Sequence, residues 1–225
     1  MKFNRLENLI GSFSLDKIKS STILVIGLGG VGGYVVEALV RSGVSNLIIV
    51  DYDKVDITNF NRQLIAVDSN ISKYKVDCFY DRIKEINDKC NVVTYKMKVD
   101  SENIEQLFNE KIDFVIDCVD DVKAKTLIIN YCLENNISFI SSMGTGNRLD
   151  PSKLVITTLD KTYNDSLAKV MRKKFTETAK KKITVCTSLE LPVNVKDKKT
   201  IASNAFVPSS AGLLIASYVV RKIIK

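Results

Sequence analysis

The sequence predicts an α/β fold: a doubly wound, mostly parallel sheet with helices on both faces and a C-terminal extension of the sheet. Three observations predict it. Short apolar, β-branched runs at 21–27, 46–51, 113–119 and 137–142 alternate with segments of helical periodicity. A glycine turn, Gly27-Leu28-Gly29-Gly30-Val31-Gly32, joins the first run to a helix. Hydrophobic residues make up 45% and charged residues 26% of 225, a globular balance with enough chain for one substantial core.

The elements follow in order. Leu6, Leu9, Ile10 and Phe13 at helical spacing predict a helix up to about residue 19. After strand 21–27 and the glycine turn, a helix over 31–42 places Tyr34, Val35, Ala38 and Leu39 toward the sheet, and Gly43 ends it. Strand 46–51, helix 75–86, strand 91–96, helix 103–108, strand 113–119, helix 123–135 and strand 137–142 complete the alternation. Beyond Asp150-Pro151 the pattern changes to a strand at 153–159, one basic helix over 165–182, extended segments at 183–191 and 200–205, and an apolar helix over 209–224. The chain therefore reads as a single domain, with a nucleotide-binding core over 1–150 and an extension over 151–225.

Composition excludes several chemistries. Histidine is absent, so His triads, His metal ligands and His proton shuttles are excluded. Five cysteines are scattered without a C-x-x-C pair, which points to reduced thiols and a cytoplasmic setting. Met1-Lys2-Phe3-Asn4-Arg5 is no signal-peptide start, and the apolar C-terminal stretch suits a buried helix and not a membrane span. Charge is uneven: residues 1–150 carry 18 basic and 21 acidic side chains, residues 151–200 carry 12 and 5. A polyanionic partner at the C-terminal part is the physical implication.

The spacing Gly27-x-Gly29-x-x-Gly32 between strand and helix, with Gly30 inside it, suits a phosphate at a helix N-terminus. Asp51, with Asp53 beside it, closes the second strand where a carboxylate accepts from ribose hydroxyls. That much does not separate a nicotinamide dinucleotide from ATP. Asn59, Asn61, Arg62, Gln63 and then Lys75 do separate them. Hydride transfer needs no such cations, whereas joining a carboxylate to AMP must neutralise the α-phosphate and the departing pyrophosphate. A solvated loop with a surface lysine is the plain alternative. Asp120, at the end of Asp117-Cys118-Val119-Asp120-Asp121, suits Mg2+ bridging phosphates. Asp121 either joins it or caps the helix beginning near Val122.

In order and spacing these residues resemble the ThiF/MoeB superfamily of adenylating enzymes, relatives of the ubiquitin-activating enzymes, over about residues 2–150. The resemblance implies that Asp51 binds ribose, that Asn59, Arg62 and Lys75 contact phosphates, and that Asp120 serves Mg2+. It also implies that Arg5 reaches the ATP of a partner subunit in a homodimer; a solvated helix arginine is the other reading. Arg41-Ser42-Gly43-Val44, Arg82-Ile83-Lys84-Glu85-Ile86-Asn87, Ser142-Met143-Gly144-Thr145-Gly146, Asp150-Pro151, Asp160-Lys161-Thr162 and Asp165-x-Leu167-Ala168 resemble the branch that dehydrates threonylcarbamoyladenosine beside the anticodon of tRNA. The carrier-protein branch bears two C-x-x-C zinc pairs, which this chain lacks, and Cys186 reads as a packing residue.

That branch implies an ATP-dependent cyclisation. The threonine carboxylate attacks the α-phosphate, giving an acyl-adenylate and pyrophosphate. A ureido nitrogen or carbonyl oxygen of the same group then expels AMP, with net loss of water. Ring closure within one group needs no enzyme thiol, because proximity supplies an effective concentration on the order of 10⁵ M. Lys169, Arg172, Lys173, Lys174, Lys180, Lys181 and Lys182 on the basic helix are candidates for tRNA phosphates, against a solvated lysine-rich face as the alternative. Arg148 either approaches the substrate carboxylate or is a solvated loop arginine. The resemblance leaves room for a monovalent cation and a cysteine desulfurase system; no DNA is expected. The alternative functions are adenylation of a sulfur-carrier C-terminus and a nicotinamide-dependent oxidoreduction.

Overall fold

The computed structural model describes residues 2–193 and 201–225. Its sheet contains β1 (Thr22–Ile26), β2 (Asn46–Val50), β3 (Asn91–Tyr95), β4 (Phe114–Asp117), β5 (Phe139–Ser142), β6 (Leu154–Thr158) and β7 (Thr184–Ser188), ordered β3-β2-β1-β4-β5-β7-β6. All neighbours are parallel except β6, which runs antiparallel to β7. Residues beyond 150 thus prolong the same sheet.

Strand alternation feeds two cores. Ile23, Val25, Leu47, Ile49 and Ile116 pack toward α2 (Ser12–Ser20), α3 (Gly32–Arg41), α4 (Lys75–Ile86) and α8 (Phe206–Ile223). Leu24, Ile26, Ile48, Val50 and Val115 pack on the other face with α5 (Val122–Glu134) and a 3-10 turn at Ile104–Phe108. A third cluster joins Ile129 of α5 to Met171 of α6 (Ser166–Arg172).

Several expected elements are corrected. The N-terminal helix is two, α1 (Asn4–Ile10) and α2, because Gly11 between them sits at φ +82°. The expected helix at 103–108 is the 3-10 turn. The basic helix is broken into α6 and α7 (Glu177–Lys180): Thr176 is extended, and its hydroxyl accepts the Ala179 N–H to start a new helix. The last helix begins earlier than expected, since Asn204 Oδ1 accepts from the N–H groups of Phe206 (2.8 Å) and Val207 (3.0 Å). No strand forms at 201–205, and Thr200 lies outside the described residues. Among the described residues no helix is long and apolar enough to cross a membrane.

Candidate active site

From β1 the chain goes one way to β2, while β4 pairs on the other side of β1. The crevice at that reversal, at the carboxyl ends of the strands, is where open α/β sheets take ligands. Gly27 lies there with φ +89°, so close to β4 that a Cβ on it would be 2.9 Å from the Cys118 carbonyl carbon. A Cβ on Gly32 would be 1.8 Å from the Gly27 carbonyl oxygen. Only glycine permits this tight turn, which leaves the first N–H groups of α3 at the crevice.

Asp51 braces the turn. Leu28 N–H donates to its Oδ2 (2.6 Å) and Asp53 N–H to its Oδ1 (2.7 Å). Burial pushes its pKa up from the ordinary carboxylate value, and the nearby Lys75 ammonium opposes that rise. Each oxygen retains capacity for another donor, such as a ribose hydroxyl.

Lys75, the first residue of α4, is only 4% exposed. Its Nζ donates to Asp53 Oδ2 at 2.8 Å, leaving two N–H donors for an incoming anion. Arg62 is anchored by Nη1, which donates to the Thr58 carbonyl (2.8 Å) and Asn61 Oδ1 (2.9 Å). Its stem and Pro208 of α8 flank Gly30: a Cβ there would be 3.3 Å from Arg62 Cγ and 3.2 Å from Pro208 Cβ. Gln63 is buried with its Nε2 facing Gly29 and its Oε1 without a partner. An orphaned buried acceptor beside a phosphate turn suits a ligand that brings its own donors.

Asn59 has a structural task beyond the expected phosphate contact. Its Oδ1 accepts the Asp56 N–H (3.1 Å) while Asp56 accepts the Thr58 N–H (2.8 Å), a capping box that shapes the loop before Arg62. Asp120 is exposed past the end of β4. The charge of Asp53, with burial and the charges of Asp120, Asp51 and Asp121, holds the Tyr52 phenol above its ordinary pKa. Among the described residues no three His, Cys, Asp or Glu side chains group to hold a metal. One carboxylate plus substrate phosphates is nevertheless a usual way to hold Mg2+, and Asp120 fits it. Asp121 is a cap: its Oδ1 accepts the Ala124 N–H at 2.8 Å.

Arg5 is exposed on α1, whose neighbour Phe3 lies against Gly43 past the far end of α3. Within one chain the structure does not bring Arg5 to the crevice. Of the basic candidates, Lys169, Lys173, Lys174, Lys181 and Lys182 are exposed. Arg172 and Lys180 are half-buried and bond within the chain: Arg172 Nη1 donates to the Thr162 carbonyl (2.7 Å) and hydroxyl, and Lys180 pairs with the exposed Glu177 at 2.6 Å.

The burial of two cations escaped sequence reasoning. Lys125 is wholly buried, and its Nζ donates to Asp117 Oδ2 (2.7 Å), Ser141 Oγ (3.0 Å) and the Ser142 carbonyl (2.9 Å). Asp117 Oδ1 accepts the Val119 N–H (3.1 Å), so this pair ties the Asp120 turn to the end of β5. The signal was a lysine on the apolar stripe of Ile128, Ile129 and Cys132. Arg148, read as solvated or substrate-facing, is 4% exposed. One nitrogen donates to the Asn164 carbonyl, while Nε and Nη1 are buried without partners. Burial draws its pKa down, opposed by Asp165 and Glu190.

Residues 3–225 match the ThiF family. The chain belongs to the ThiF family. A ThiF relative from Bacillus subtilis, a tRNA threonylcarbamoyladenosine dehydratase, is 41% identical over 241 aligned positions, covering 100% of this chain and 95% of that protein. The dehydratase of Escherichia coli is 34% identical, covering 77% of this chain and 65% of its own. Structures of E. coli TcdA with ATP and with AMP superpose with TM-scores of 0.93 and 0.95 at 29% identity, each covering 99% of this chain and 93% and 94% of theirs.

Proposed function

We propose that the protein catalyses ATP-dependent dehydration of N6-threonylcarbamoyladenosine in tRNA through a carboxyl-adenylate. The observation that carries this reading is the full-length 41% likeness to a dehydratase of that specificity. The site supports it. The glycine turn and α3 receive the phosphates, Asp51 the ribose, and Arg62 and Lys75 the charge that builds on the α-phosphate and pyrophosphate. Mg2+ at Asp120 would supply further neutralisation of the phosphates. Arg5 enters from a second copy, which makes a homodimer part of the proposal. Neither a monovalent cation nor a desulfurase partner is assigned a residue, and the reaction is placed in the cytoplasm.

The thiols favour internal cyclisation over thiol relay. Burial pushes all five thiols up, Cys90 to about 11 and Cys132 and Cys186 to about 12, with Cys78 and Cys118 also raised, so none is a ready thiolate near neutral pH. ATP–pyrophosphate exchange tests the reading. Exchange should require tRNA bearing threonylcarbamoyladenosine. Exchange driven instead by a carrier ending in two glycines, or nicotinamide dinucleotide binding without exchange, would overturn it.

A further inference from the structure

Four loops meet beyond the carboxyl ends of β5 and β7: residues 143–150, 162–165, 189–193 and 201–206. Hydrogen bonds lock them together. Arg148 donates to the Asn164 carbonyl, and Asn164 Nδ2 donates to the Leu189 carbonyl (3.0 Å). Val193 N–H donates to the Asn147 carbonyl (2.8 Å), and Asn147 N–H to the Ala202 carbonyl (2.7 Å). Met143 is buried, yet five other large apolar side chains of these loops face out: Leu149 60%, Tyr163 51%, Leu191 72%, Ile201 76% and Phe206 61% exposed. An apolar rim on a polar loop cluster marks an interaction surface.

Its two margins say what covers it. On one side it runs into the nucleotide crevice: Phe206 opens α8, and Pro208, two residues on, flanks Gly30 of the phosphate turn. On the other it meets a basic face. The bonds from Arg172 to Thr162 set Tyr163 beside α6, where Lys161, Lys169, Lys173 and Lys174 are exposed. Exposed aromatics bordered by cations suit unstacked bases of single-stranded RNA, whose phosphates find the lysines.

We infer that this rim seats the nucleotides flanking the substrate adenosine in an RNA loop, with Tyr163 and Phe206 as stacking platforms. The assignment rests on the tRNA reading above and adds where the RNA lies. The test is binding of threonylcarbamoylated tRNA to Tyr163→Ala, Phe206→Ala and the double variant, with Tyr163→Phe and Phe206→Tyr as conservative controls. Each alanine should weaken binding about tenfold, as loss of a base–aromatic stack does. The dependence of log affinity on log salt should keep its slope, because no phosphate contact is removed. The conservative variants and Mg-ATP affinity should stay near wild type. RNA affinity unchanged in the double variant would overturn the assignment. So would alanine variants that lose RNA only because they fall apart into monomers, as sedimentation would reveal. If the unaltered protein binds no such tRNA, the tRNA reading itself fails, which is a separate result.

Discussion

Lys125 and Arg148 are both buried cations near the end of β5, and they are built in opposite ways. Lys125 spends all three donors, on Asp117, Ser141 and Ser142. Arg148 has two buried nitrogens without partners. The contrast extends to the regions around them. The β4–β5 side is a finished structure that fixes the Asp120 turn before any ligand arrives. The β5–β6 side is a loop cluster with hydrogen-bonding capacity left over. In this fold the Lys125 pair is complete before any ligand arrives, and among the described residues only Gln63 Oε1 is left buried and unpaired in the nucleotide half, whereas the half assigned to substrate keeps two unpaired donors on one buried guanidinium.

Stability is the sharpest way to break that contrast. Lys125→Met leaves Asp117 buried and uncompensated, and urea unfolding should show a loss of about 3–5 kcal/mol. The double variant Asp117→Asn/Lys125→Met should recover much of it, since neither charge then remains. Arg148→Met gives up one hydrogen bond while removing two unpaired donors, so it should cost no more than about 1 kcal/mol. Equal losses in Lys125→Met and Arg148→Met would erase the distinction.

Activity comes next. Lys75→Ala and Arg62→Ala should each lower ATP–pyrophosphate exchange about 10²–10³-fold, the size of effect expected when one preorganised charge is lost from a transition state. The urea midpoint of Arg62→Ala should scarcely move, because Arg62 lies outside the core. Exchange near wild type in both variants would strip these residues of their phosphate roles.

The smallest effect lies away from both cations. Glu37 accepts from Arg82 Nε (2.6 Å) and Nη2 (2.8 Å) and from Arg41 Nε (2.7 Å), joining α3 to α4. Burial pushes its pKa up, but the two guanidiniums prevail and hold it below the ordinary glutamate value. A carboxylate depressed in the folded state stabilises above its unfolded pKa, and that contribution fades as pH falls through the folded value. Glu37→Gln should therefore cost about 1 kcal/mol at neutral pH, and the difference from wild type should shrink in acid below the ordinary carboxylate range. A cost independent of pH would assign Glu37 a packing role only.

The nucleotide half was largely legible in the sequence, because its signals are local. The glycine turn, the acid closing β2 and Lys75 opening α4 each occupy a position that backbone geometry dictates. Asn59 was legible as a polar loop residue but not as one arm of a capping box, since that depends on the loop's closure onto Asp56. The second half was harder to read. Thr176 breaks the lysine-rich stretch into two helices, and a lysine count carries no trace of that. Arg148 looked solvated because its burial comes from loops at 164, 190 and 204 that only the folded chain assembles. Lys125 was in plain view on an apolar stripe, but its partners Asp117 and Ser141 belong to two different strands.

The most direct test of the central claim is mass spectrometry of the tRNA nucleosides after incubation of threonylcarbamoylated tRNA with the purified protein and Mg-ATP. The account predicts a modified adenosine lighter by one water, with AMP and pyrophosphate formed in step with it. An unchanged nucleoside in the presence of bound Mg-ATP and bound tRNA would contradict it.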